Sequence, residues 1–170
     1  MGSYVVLGWT PLNGPPPDLT NEDWFDLDAF VYKHGAELNR TPTEADELSI
    51  RLRNEPSTEV WIERDPETGG IAGFVALHLG KKPMYRHAAS LRIFVAPEYH
   101  GRGHGSKLIE RALTWAKANG IKRVSATPYL DGNEQLDFFL KHGFEVEGRA
   151  RAAVRTNGTL VDMALLARIL

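Results

Sequence analysis

The sequence predicts a mixed α/β fold built on a mostly antiparallel sheet with one parallel pair of strands. Three observations carry this. Strand-like runs at 60–63 and 71–79, and again at 144–155 and 159–166, are joined by turns of hairpin length. Two amphipathic helical stretches with start signals precede them. Between 89 and 127 a strand, a glycine-rich loop, a helix and a second strand follow in order. Such a unit closes by a right-handed crossover, which sets 89–96 and 123–127 parallel.

In chain order, Tyr4 to Trp9 is apolar and β-branched and reads as a short strand. Asn13 to Pro17 can continue neither helix nor ladder, so it is a surface connection. Thr20 with Asp23 marks a helix start, and Trp24, Leu27, Phe30, Val31 and Leu38 supply its apolar stripe. Thr41, Pro42 and Glu44 form a capping box ahead of Ala45, Leu48 and Leu52, and Asn54 and Pro56 close that helix. The turn at 65–70 makes a hairpin of the next two strands, and Pro97 stops the apolar run at 89–96. A helix from about Ser106 buries Leu108, Ile109, Ala112, Leu113 and Ala116 and ends at Asn119-Gly120. A strand at 123–127 follows, then a short helix carrying Leu136, Phe139 and Leu140 that Gly143 terminates. Asn157-Gly158 is the strongest two-residue hairpin signal in the chain.

Composition bounds the function. A length of 170 residues with 42% hydrophobic content suits a single domain over 1–170 with a real core. Twenty Lys and Arg against 22 Asp and Glu leave a net charge of −2, without the basic field that nucleic acid or an anionic membrane demands. The absence of cysteine excludes a disulfide scaffold, a thiol nucleophile and a thiolate zinc site. No apolar run approaches the ~18–20 residues that span a bilayer, and the first residues lack a signal pattern. The expectation is a soluble, cytoplasmic protein.

The segment that carries chemistry is Pro97-Glu98-Tyr99-His100-Gly101-Arg102-Gly103-His104-Gly105-Ser106-Lys107. Alternating glycines at a strand-to-helix turn let backbone N–H groups converge, and the helix dipole adds a positive end. That combination suits phosphate or pyrophosphate. The dinucleotide fingerprint fails, since Ser106 stands where its third glycine belongs. The Walker pattern fails too, with no glycine before Lys107, and the nucleophile elbow is absent. Taken alone, the glycines are equally a plain connection.

The surroundings of these glycines point further. Val95-Ala96-Pro97, then His100, Gly103 and Gly105 leading into a helix, resemble the acetyl-CoA-binding motif of GNAT-type N-acetyltransferases, with His100 in place of the usual Gln or Arg. Downstream, 133–144 resembles the family's closing helix ending in Gly143-Phe144, and Glu147-Gly148-Arg149 with 160–166 its last hairpin. The likeness covers 71–170, with 1–70 matching in layout as the acceptor side. It implies a twisted sheet of about six or seven strands, splayed between 89–96 and 123–127, with about four helices, and a single acetyltransferase-like domain.

The resemblance also implies roles. Pantetheine would pair with the backbone of Phe94 and Val95, and the Val95 amide would donate to the thioester oxygen. His100, Gly101, Arg102, Gly103, His104, Gly105, Ser106 and Lys107 would form the pyrophosphate loop, with Asn133 and Phe139 as further cofactor contacts. Phe139 stands where a tyrosine commonly protonates the leaving thiolate, and Asn133 lies one place past the usual asparagine, with Gly132 in the aligned position. Tyr129 is then the candidate acid, though a packed strand-end aromatic is the plainer reading. A base is needed because an alkylammonium of pKa about 10.4 cannot attack. The strand before Val95 offers Ser90 and Arg92 but no carboxylate, leaving Glu63, His78, His87 and Asp162 as candidates by type alone.

His100 and His104 lie in a glycine loop without a carboxylate pair, so no metal is expected. Lys81, Lys82, Arg86, His87 and Arg92 make a basic cluster at a hairpin edge, and Trp9, Trp24, Trp61 and Trp115 read as packing. The expected activity is acetyl transfer from acetyl-CoA to the primary amine of a small molecule or peptide, directly, since no cysteine can form an acyl-enzyme. A homodimer is common among similar proteins. A silent acyl-CoA-binding or regulatory module, favoured by Phe139 and the missing glutamate, is the alternative, with a nucleotide-binding domain of another kind behind it.

Overall fold

The computed structural model describes residues 19–38, 42–132 and 134–170. The strand expected at 4–9, the connection at 13–17, Thr41 of the second capping box and Asn133 lie outside the described residues.

Helix α1 (Asn21–Lys33) starts where its sequence dictates. The Asp23 amide donates to Thr20 Oγ1 at 3.1 Å and the Thr20 amide donates to Asp23 Oδ2 at 3.0 Å, so two orphan donors are satisfied reciprocally. Leu27, Phe30 and Val31 form its buried stripe, packed with Ala45 and Leu52 of α2 (Pro42–Asn54).

Strands β1 (Thr58–Arg64) and β2 (Ile71–Leu79) pair antiparallel, as do β2 and β3 (Ala88–Val95). Helix α3 (His104–Ala118) crosses to β4 (Arg123–Ala126), which lies parallel to β3. Helix α4 (Glu134–Lys141) leads to the hairpin of β5 (Glu145–Thr156) and β6 (Thr159–Ile169). The six-stranded sheet has the order β1-β2-β3-β4-β6-β5, with β3 and β4 as its parallel pair. Among the described residues it is a single α/β domain with four α-helices and two short 3₁₀ turns, and no helix is long and apolar enough to cross a membrane.

Two of the boundaries that differ from expectation have a plain physical cause. Helix α3 begins at His104, two residues before Ser106, because Gly103 takes φ +84° and turns the chain into the helix at once. Strand β6 runs on to Ile169 because its end pairs with β4, Arg123 opposite Ile169. The Asn157-Gly158 turn has φ +48° and +80°, the positive pair that a two-residue hairpin needs.

The sheet separates two apolar clusters. Trp61, Val75, Leu77, Leu91 and Val124 pack with α3 residues such as Leu108 and Ile109 on one face. Val60, Phe74, Ala76 and Ala96 pack with α1 and α2 on the other. Strand β2 is covered on both sides, which is why it reads as an unbroken apolar run rather than an alternating one.

Candidate active site

The parallel pairing of β3 and β4 is brief. Ala88, Ala89 and Ser90 lie opposite Arg123, Val124 and Ser125, and beyond Ser90 the strands part while β3 continues to Val95. Antiparallel parity then determines what this open edge offers. The Ala96 amide donates to the Ala72 carbonyl at 2.9 Å, so Phe94 and Arg92, on the same parity, also turn their backbone groups to β2. Ile93 and Val95 turn theirs away from β2, toward the gap. Phe94 contributes its ring instead, which lies 5.9 Å from that of Phe30 on the α1 face. The backbone edge that faces the gap is thus that of Val95 and Ile93 and not that of Phe94, which had been expected there, because alternate residues of a strand face opposite edges.

The gap opens into a cleft of about 690 Å³ bordered by Ile93, Phe94, Val95, the loop through Ser106, and α4 residues Phe138, Phe139 and Lys141. That size suits a cofactor pocket. Gly101 and Gly103 have φ +74° and +84°, and the first bond of α3 runs from the Lys107 amide to the Gly103 carbonyl at 3.1 Å. The amides of His104, Gly105 and Ser106 therefore precede the helical ladder and are available to an anion. A Cβ on Gly105 would stand 3.2 Å from the Phe138 ring, so a larger residue would crowd the place where the loop meets α4. This cradle fits the diphosphate of acetyl-CoA.

His100 Nε2–H donates to the Val95 carbonyl oxygen at 2.8 Å, which ties the loop to the end of β3. His104 lines the cleft, but its residue is buried and its ring is taken up elsewhere, with Nδ1 3.7 Å from Glu63 and Nε2 3.8 Å from Asp65. The side chains of Arg102 and Lys107 also turn from the cleft, Arg102 to Asp65 at 3.7 Å and Lys107 to Glu63 at 3.2 Å. These buried carboxylates, far off in sequence, draw the cations away. Hydrogen bonds from the Thr68 amide and hydroxyl and the Glu67 amide, with Arg102 nearby, outweigh burial and hold Asp65 below the usual carboxyl range.

Phe139 lines the cleft, nearly buried, where it can offer contact but no proton. Tyr129 follows β4, forms a bridge with Met163 of β6 and does not border the cleft. None of the base candidates borders it either. Glu63 is bound by Lys107 and by Arg111 at 3.0 Å. His78 shares a hydrogen bond with Thr58 at 2.9 Å, and burial lowers its pKa. His87 lies in the turn before β3, its carbonyl accepting from the Lys122 amide. Asp162 holds a bulge in β5, accepting from the Ala152 amide at 2.7 Å and from Arg149 at 2.6 Å. Among the described residues no cluster of three or more His, Asp or Glu is placed to hold a metal ion.

Sequence reasoning missed Glu37, Tyr99 and Lys141, which border the cleft from the turn after α1, the segment after β3 and the end of α4. No local pattern marks them. The Tyr99 hydroxyl turns toward Thr68 Oγ1 at 3.4 Å.

The family model described as Acetyltransferase (GNAT) family matches residues 18–144. Among curated proteins, the L-amino acid N-acetyltransferase AaaT of Escherichia coli (strain K12) is 27% identical over 129 residues, 67% of this chain and 78% of the relative. Among solved structures, a GNAT superfamily phosphinothricin acetyltransferase from Sinorhizobium meliloti in complex with AcCoA superposes with a TM-score of 0.75. It is 21% identical, over 86% of this chain and 84% of that one. A GNAT-family acetyltransferase from Streptococcus pneumoniae gives a TM-score of 0.71 at 24% identity, over 88% and 95% of the two chains. Both structures share the fold. With the splayed strands and the glycine loop already in place, the match across 18–144 shows that the chain belongs to the GNAT family of acetyl-CoA-dependent acetyltransferases.

Proposed function

We propose that this chain moves the acetyl group of acetyl-CoA to a primary amine by direct attack in a ternary complex. The observation that carries this reading is the Val95 backbone amide, turned away from β2 on the open edge of β3 in a cleft continuous with the amide-lined start of α3. In this reading the amides at 102–106 hold the diphosphate, and Ile93 and Val95 pair with the pantetheine arm as an added strand. The Val95 N–H donates to the thioester oxygen as charge develops there, a contribution typically worth 10²–10³ in rate. His100 holds the end of β3 in place through the Val95 carbonyl. The amine nitrogen bonds to the carbonyl carbon, the C–S bond breaks, and the thiolate leaves. With no cysteine in the chain, a thiol-linked acyl-enzyme has no site.

The name of the Escherichia coli relative and the AcCoA held by the Sinorhizobium meliloti enzyme support a small amine as acceptor and acetyl-CoA as donor. The expected result is free thiol released from acetyl-CoA across a panel of primary amines, and no release with any amine would sink the reading. Gly103→Pro demands φ near −65° where the chain has +84°, so it should weaken acetyl-CoA binding at least tenfold by calorimetry.

One observation favours a second reading. Phe139 occupies the cleft wall where a proton donor would serve, and Tyr129 stands outside the cleft, as a silent acyl-CoA-binding module would allow. Tight CoA binding without turnover would select it, while a Tyr129→Phe change that lowers kcat alone would favour the enzyme.

A further inference from the structure

The cleft is bordered from both faces of the sheet, and its α3 face is taken by the cofactor reading. On the α1 face stand Phe94, Pro97 and Glu37, the last from the turn after α1. Behind Glu37 lies an unusual group. His34, at the end of α1, has a side chain only 4% exposed, with its ring 4.7 Å from that of Phe30 and 5.9 Å from that of Phe94. Its Nδ1 makes no hydrogen bond among the described residues and lies 3.9 Å from Glu37 Oε2, while Nε2 lies 3.7 Å from Glu98 Oε1. Glu98 is exposed and pairs with Lys33 at 3.1 Å. Two exposed carboxylates, one of them bordering the cleft, thus flank a buried imidazole. An ion pair joining α1 to the segment after β3 would account for Glu98. It leaves unexplained a buried nitrogen with no hydrogen bond beside the carboxylate of a residue that borders the cleft.

We propose that Glu37 receives the ammonium group of the acceptor and takes its first proton, and that His34 is a positioning residue that aims the Glu37 carboxylate. The inference rests on the acetyl-transfer reading and supplies the base that the strand before Val95 lacks. The ammonium donates to the Glu37 carboxylate and gives up a proton to it, freeing the lone pair that attacks the thioester carbon. The proton then leaves Glu37, itself exposed, for water, while His34 Nδ1–H donates to the Glu37 carboxylate and holds it toward the amine. That gap closes to hydrogen-bond length by a shift of about 1 Å, the tightening expected when a substrate binds. As the C–N bond forms and the C–S bond breaks, the nitrogen loses a second proton, which ends on the departing thiolate through water. The shared chemistry recognised is a protonated primary amine. Of the ionisable groups, His34 lies beside Glu37, with Glu98 and Lys33 beyond it, and Tyr99, His100, His104, Glu134 and Lys141 border the same cleft.

The test uses whichever of L-methionine and spermidine the wild-type protein acetylates faster, which also separates a zwitterionic acceptor from a polyamine. At pH 7, Glu37→Gln should lower kcat/KM for the amine about 100-fold while acetyl-CoA affinity stays within twofold. Most of the loss should be recovered near pH 10, where the free amine is abundant and needs no base. His34→Gln should lower kcat about tenfold with the amine KM little changed. Unaltered kcat/KM in Glu37→Gln overturns the proposal, as does a loss undiminished at pH 10 or one matched by lost acetyl-CoA affinity. If the wild-type protein acetylates neither amine, both are titrated calorimetrically into the CoA-saturated protein. Binding at least tenfold weaker in Glu37→Gln than in wild type upholds Glu37, and equal or absent binding overturns it.

Discussion

A methyl group at Gly73 would lie 2.4 Å from the Phe94 carbonyl oxygen and 3.0 Å from Val95 Cα. Both neighbours are backbone, so β3 would have to move at the very place where its edge lines the cleft. Gly73→Ala should cost about 1–3 kcal/mol in urea unfolding and weaken acetyl-CoA binding through the displaced Val95 amide. Gly103 is constrained in the opposite way. A Cβ there meets nothing within 4 Å, so its requirement is the left-handed backbone rather than space. Gly103→Ala should therefore cost only about 1–2 kcal/mol, far less disruptive to the loop than proline. The turn at Gly101 and Gly103 was readable because glycine's freedom is local. The close approach at Gly73 was not, because it depends on which strand lies alongside.

Among the elements, α3 depends most on partners distant in the chain. Its first turn carries His104 between two carboxylates, and Glu63, buried on β1, also binds Lys107 and Arg111. This network joins the start of α3 to β1 and to the turn before β2. Glu63→Ala should lower stability by about 1–3 kcal/mol, leaving His104 without one of its charged neighbours, and should weaken acetyl-CoA binding several-fold by loosening the amides that precede the helix. Thermal unfolding and CoA titration measure the two effects separately. The helix itself was legible from Leu108, Ile109, Ala112, Leu113 and Ala116 at helical spacing. Its early start and the capture of its cations were decided by contacts that periodicity does not encode.

For the whole molecule, burial couples stability to pH in opposing directions. Glu59 on β1 is pushed up to about 7 by burial, from an ordinary value of 4.5. The folded state holds its proton more tightly than the unfolded chain, so this group's contribution is present below pH 4.5 and is lost as pH rises through 7. Glu59→Gln should therefore stabilise the protein by about 1–2 kcal/mol at pH 8 and change little at pH 4, as read by urea unfolding at both pH values. His78 and His142 act in the other sense. Burial lowers both, so their contribution is present above about 6.5 and is lost as pH falls through their lowered values.

The sequence by itself determined whatever depends on neighbouring residues. The Thr20–Asp23 box, the apolar stripe of α3, the glycine loop and the Asn157-Gly158 turn follow from rotamers, dihedrals and caps within a few residues. Together they were enough to place the fold and the glycine turn ahead of α3. Only the tertiary structure decided where β3 leaves β4, which edge Val95 presents, and that Glu37, His34 and Glu98 meet beside the cleft. It also drew Arg102 and Lys107 to Asp65 and Glu63 and left Tyr129 outside. Each of those outcomes is a pairing across a sheet or between remote segments, and neither the energy nor the direction of such a pairing is carried by any one stretch of chain.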